Sequence, residues 1–65
     1  MNAKLSRFLI MHVGGSRAFA DALGLDYDEP GAPQRIHNWK KRGLPNAVVA
    51  THYEKLKRLK RQAGL

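Results

Sequence analysis

Apolar residues recur along this chain at helical spacings, and no stretch shows the two-residue alternation of a strand bounded by turn signals. Leu5, Phe8, Leu9 and His12 fall at i, i+3, i+4 and i+7, which predicts a first helix over about residues 3–13 with that face inward. Gly14 and Gly15 end it. Ser16 then stands where an N-cap belongs, its hydroxyl placed to accept from an orphan amide of the next turn. A second helix over about 17–23 carries Phe19 and Leu23 four apart, with Ala20 small enough for another helix to approach closely. Gly24 is its C-cap, and Leu25 is placed to tuck under the turn.

The segment "DYDEPGAP" holds too many breakers to be regular. Pro33 suits the first turn of a helix, where its missing N–H costs nothing. A third helix over about 32–42, "APQRIHNWKKR", places Ile36 and Trp39 on one face and Gln34, Arg35, Asn38, Lys41 and Arg42 on the others. Gly43 ends it. Val49, His52, Leu56 and Leu59 continue the periodicity, with no breaker until Gly64. They predict either one helix of about 46–62 or a shorter one with a frayed basic end. The expected fold is all-α: a single domain spanning 1–65, a compact bundle of four or five short helices.

Size and charge narrow the function. A 65-residue chain is one domain at most, and a domain this small buries only roughly 60% of the surface its unfolded chain exposes. Cysteine is absent, so neither disulfides nor thiolate metal sites help it. The apolar run Phe8 to Met11 is too short for a signal-peptide core, and nothing approaches the roughly 20 apolar residues of a membrane span. The expected setting is soluble and intracellular. The net charge of +7 implies an anionic partner. Its distribution is uneven: +2 over residues 1–25, −3 over 26–31 and +8 over 32–65. The partner is expected to meet the C-terminal half.

Two stretches then combine. "GSRAFADALGL" supplies a small residue, Ala20, a glycine four later, Gly24, and an apolar plug, Leu25. "QRIHNWKKRGLP" supplies a buried aliphatic residue, Ile36, and a bulky apolar one three later, Trp39. Together they resemble the helix-turn-helix of small phage and prophage repressors of the Cro and C1 type, over about residues 5–53. The departure is length: the aliphatic position stands six residues later than the family pattern places it, and "DYDEPG", residues 26–31, is the right size to be the insertion. It reads as a solvated loop, as three carboxylates that keep the loop off a duplex, or as a contact to a second subunit through Tyr27 or the carboxylates.

The resemblance implies a sequence-specific, double-stranded DNA-binding regulator of the lambda-repressor-like, Cro-like fold. It would repress by occupying its operator in the cytoplasm of a bacterial host, as a homodimer on a palindromic site. The third helix would enter the major groove. Gln34 and Asn38 then suit bidentate pairing with adenine, and Arg35 with guanine; His37 is a weaker base contact. Ser16, Arg17, Lys40, Lys41, Arg42 and Asn46 are the expected phosphate contacts, Ser16 and Asn46 because they stand near the amide ends of the second and fourth helices. Val49, Leu56 and Leu59 are core, dimer seam or both. No small-molecule effector and no cofactor are expected.

Other functions fit less well. The tail "EKLKRLKRQAGL" is basic and amphipathic, which also suits a membrane surface or an acidic protein partner, but it offers only Leu56 and Leu59 as an apolar side. The five aromatics are scattered, which disfavours a stacking face for single-stranded nucleic acid, and Trp39 reads as core. Ser6 and Ser16 lack a histidine at motif spacing, so enzymatic activity is not expected. His12, His37 and His52 fall on three different helices, unlike a zinc site. Asp26, Asp28 and Glu29 resemble a calcium loop, but Pro30 and Pro33 break the pattern and no glutamate closes it.

Overall fold

A computed structural model describes residues 1–65. Five helices follow one another: α1 (Ala3–His12), α2 (Ser16–Leu23), α3 (Ala32–Arg42), α4 (Asn46–Thr51) and α5 (Tyr53–Gln62). The protein is all-α, as its periodicity predicts. α3 packs across α1 and α2, while α5 packs on α2 and α4, so α2 lies between the third helix and the basic fifth.

One apolar cluster holds these helices together: Leu9 and Ile10 of α1, Phe19, Ala20 and Leu23 of α2, Ile36 and Trp39 of α3, Leu44 of the loop after α3, and Leu56 of α5. Phe19 and Trp39 meet edge to face, with ring centroids 6.4 Å apart. That geometry favours the aromatic pair beyond the area it buries. The turn closing α2 follows its sequence: Gly24 adopts φ 75°, its N–H bonds Asp21 O, and the Leu25 N–H reaches Ala20 O at 2.8 Å. This is a Schellman turn, which seats Leu25 against the core.

Three expectations are corrected. First, α1 is rotated: Ser6, Leu9 and Ile10 are buried, whereas Phe8 is 48% exposed and stacks on an exposed His12. Both stripes share Leu9 and have helical period. The Ser6 stripe is favoured because burying the His12 ring would require partners for its nitrogens, whereas the Ser6 hydroxyl accepts the buried Leu44 N–H at 2.9 Å. Second, Ser16 is not the N-cap of α2. Gly15 holds that place, the Phe19 N–H bonding its carbonyl, and the Ser16 side chain makes no cap bond. The turn leaving α1 is tight enough that α2 starts one residue early.

Third, the single helix expected over 46–62 is broken at His52, with φ −113° and ψ 29°, although neither glycine nor proline is present. The Thr51 hydroxyl donates to the Ala47 carbonyl at 2.8 Å, a back-bond that bends helices. Val48, Val49 and Thr51 also lower the local helix propensity. The bend lets α5 bury Leu56 while Val48 and Val49 pack on the core's edge. The basic end does not fray: α5 is helical to Gln62.

The N-terminal backbone and the loop after α3 are locked together. Gly43 has φ 97°, and a Cβ there would run into the Met1 carbonyl and the Asn2 and Ala3 backbone. The Met1 ammonium donates to Leu44 O, and Ser6 takes the Leu44 N–H. No buried side-chain polar atom lacks a partner. Ser6→Ala strands the Leu44 amide in the core and is expected to lower unfolding free energy by about 1–3 kcal/mol, measured by urea denaturation.

Candidate nucleic-acid interface

α3 begins where the insertion ends. Gly31, at φ 86°, precedes it, and Pro33 stands in its first turn. Its inward stripe is Ala32, Ile36 and Trp39; Ile36 is 1% and Trp39 5% exposed. At about 100° per residue, the opposite direction is taken by Gln34 and Lys41, flanked by Asn38 and His37. Arg42, Arg35 and Lys40 stand on the sides. All of these are exposed except the half-buried Lys40, and no acidic residue occurs in the helix. Packing that draws Ile36 and Trp39 inward therefore turns the two amides and the imidazole out to solvent.

The amides are arranged together. The Gln34 Nε2 donates to Asn38 Oδ1 at 3.5 Å, the long limit of a hydrogen bond. That leaves the Gln34 carbonyl oxygen, one Gln34 N–H and the Asn38 NH₂ free on one face. Arg35, Lys40, Lys41 and Arg42 have no carboxylate partner: the chain's single ion pair is Arg17–Asp28.

The remaining expected phosphate contacts are placed unevenly. Ser16 is half-buried in the first turn of α2, with its hydroxyl unused. Asn46 is exposed at the start of α4, but that helix has only six residues, and Pro45 before it offers neither an N–H nor a capping side chain. Arg17 is not free. Its guanidinium donates to Asp28 Oδ1 at 2.9 Å and lies 4.8 Å from the centre of the Tyr27 ring. The Asp28 hydrogen bond, then its charge, push the Arg17 pKa further above its ordinary value.

Tyr27 and Asp28 therefore belong to the site's description, although periodicity gives no sign of their contact with Arg17. The insertion is folded: the Asp28 N–H bonds Asp26 Oδ1 at 3.0 Å, and backbone bonds Glu29 N–H to Asp26 O and Ala32 N–H to Glu29 O close two turns. Of the basic tail, Lys55 is structural, its Nζ capping the Leu23 carbonyl at the end of α2 at 3.2 Å. No helix is long and apolar enough to cross a membrane.

No family model, curated protein or solved structure matches the chain.

The two faces of α3 are separable by stability. Gln34→Ala with Asn38→Ala is expected to change unfolding free energy by less than about 0.5 kcal/mol each, as exposed sites do. Ile36→Ala is expected to cost about 2–5 kcal/mol. Thermal or urea melts of the variants distinguish the two faces.

Proposed function

We propose that this protein is a sequence-specific double-stranded DNA-binding regulator, of the Cro-like repressor kind, that reads base edges with the outer face of α3. The observation that carries the reading is the orientation of that helix. Ile36 and Trp39 are interior, so Gln34, His37, Asn38 and Lys41 face outward together, with unpaired cations on both flanks.

An α-helix fits the major groove, and there carboxamides match adenine N6 and N7 while guanidinium matches guanine O6 and N7. Gln34 and Asn38 take the first role and Arg35, from the helix flank, the second, with His37 beside them. Lys41 and Arg42, with Lys40 at the flank, suit phosphates, as does Ser16 in the first turn of α2; Asn46, on a six-residue helix, could add only its side chain. Such contacts set the register of the protein on the duplex. Bound in this way the protein would act by occupancy, two copies sharing a two-fold site.

The tail favours this reading over a membrane-surface one. Leu56 is buried and Leu59 half-buried against the core, so α5 has spent its apolar side within the fold. What it exposes is mainly cationic, and Tyr53, its one large exposed apolar side chain, falls short of the apolar face that interfacial helices insert.

Selection of bound sequences from a random duplex pool tests the proposal. The expected outcome is an enriched palindrome. Gln34→Ala and Asn38→Ala should then each lose about 1–3 kcal/mol of discrimination at one base position per half-site. Lys41→Ala and Arg42→Ala should weaken all duplexes alike and each reduce the slope of log K against log salt by about 0.9. Enrichment of no sequence would exclude specific readout by α3.

A further inference from the structure

Arg17 has two partners before any ligand arrives. It sits in the first turn of α2, the first helix of the proposed helix-turn-helix, which in such motifs crosses the DNA backbone while the second enters the major groove; yet its guanidinium bonds Asp28 at 2.9 Å and lies over Tyr27 at 4.8 Å. Asp28 is held in place by its own turn, its N–H bound to Asp26 Oδ1. The Asp28 side chain has no other hydrogen-bond partner, and Asp28 is the only carboxylate within ion-pair distance of Arg17, Asp21 acting on it more weakly through its charge. The two are eleven residues apart, brought together by the segment that lengthens the turn between α2 and α3.

A carboxylate on a guanidinium has the same chemistry as a phosphate on one: an oxyanion accepting from a planar fork of N–H donors. While one Arg17 nitrogen serves Asp28, the fork cannot grip a phosphate with both arms unless that nitrogen is shared, and the carboxylate repels the incoming anion. Both side chains are well exposed, 61% and 76%, so the pair is solvated and opens at small cost. It suits exchange of one anion for another. Tyr27, half-buried against the core, offers its ring face to the Arg17 guanidinium and so holds it beside the loop.

We infer that the insertion carries an internal phosphate mimic: Asp28 occupies Arg17 in the free protein and yields it to a DNA phosphate on binding. The inference rests on the duplex-binding reading above and deepens it. The acidic loop thus acts as a brake on phosphate binding. Because the same pair must open on any sequence, the brake lowers affinity for all duplexes equally and leaves base preference untouched.

The test is a double-mutant cycle in duplex binding, measured by fluorescence anisotropy on a scrambled 20-base-pair DNA at low salt and repeated along a salt series. Asp28→Asn removes the mimic's charge with little change of shape. Glu29→Gln removes one charge of the same loop that does not touch Arg17, so it reports the general field alone. Asp28→Asn is expected to bind about two- to fivefold more tightly than Glu29→Gln, with a salt slope steeper by about 0.9, as one more phosphate is neutralised. In an Arg17→Ala background the two variants should become equal. Thermal melts check that each variant is folded.

Equal gains for Asp28→Asn and Glu29→Gln with Arg17 present would overturn the inference, as would weaker binding by Asp28→Asn or a gain that survives Arg17→Ala. A protein of charge +7 binds duplex nonspecifically at low salt whatever α3 does, so this result stays readable even if random-pool selection enriches nothing. Failure to bind any duplex at low salt, in wild type and variant alike, would end both proposals.

Discussion

Burial of Ile36 and Trp39 against Phe19 is the constraint on which the rest depends. Three side chains from two helices, two of them aromatic, dominate a core of only nine buried residues. Turning α3 about its axis would place Trp39 in water and bring Gln34 or Asn38 beneath the apolar layer, with carboxamides that would find no partners there. The direction in which α3 faces is therefore set by hydrophobic burial, and its outward residues follow as a geometric consequence. A surface presented in this way needs no strain: the chain has no positive-φ residue other than glycine and no buried polar side chain left unsatisfied.

So small a core leaves the helix ends to be secured by polar contacts. Without cysteine, no covalent link does it. Ser6 holds the loop after α3 through the Leu44 amide, the N-terminal ammonium takes the Leu44 carbonyl, and the N-terminal backbone lies where a side chain at position 43 would otherwise be. Lys55 closes the far end of α2. Each of these joins segments more than thirty residues apart in the chain, and each satisfies a backbone group or fills a space that the apolar residues alone do not reach.

Charge is organised on the same frame. Cations flank the outer face of α3, a second basic face lies on α5 beyond α2, and the only strongly acidic segment folds back onto the start of α2. The insertion is thus more than a solvated spacer: two hydrogen-bonded turns and a half-buried tyrosine fix it, and its middle carboxylate meets the one basic side chain that is paired.

Local signals in the sequence determined the all-helical class, the limits of α2 and α3 to within a residue, the Gly24 turn, and the inward pair Ile36 and Trp39 that separates the outer face of α3. Those features depend on residues within one or two turns of each other, where spacing and glycine act directly. Tertiary structure decided the rest. Leu5–Phe8–Leu9–His12 and Ser6–Leu9–Ile10 both have helical period on α1, and partners decide between them: the Leu44 amide, 38 residues away, meets the Ser6 hydroxyl, whereas a buried His12 ring would lack one. The bend at His52 depends on where Leu56 must reach. The bond between Arg17 and Asp28 exists because two turns fold the insertion back, a pairing that no periodicity encodes. Helical spacing specifies which residues share a face; which face is buried, and which charge meets which, depends on partners that only the folded chain brings near.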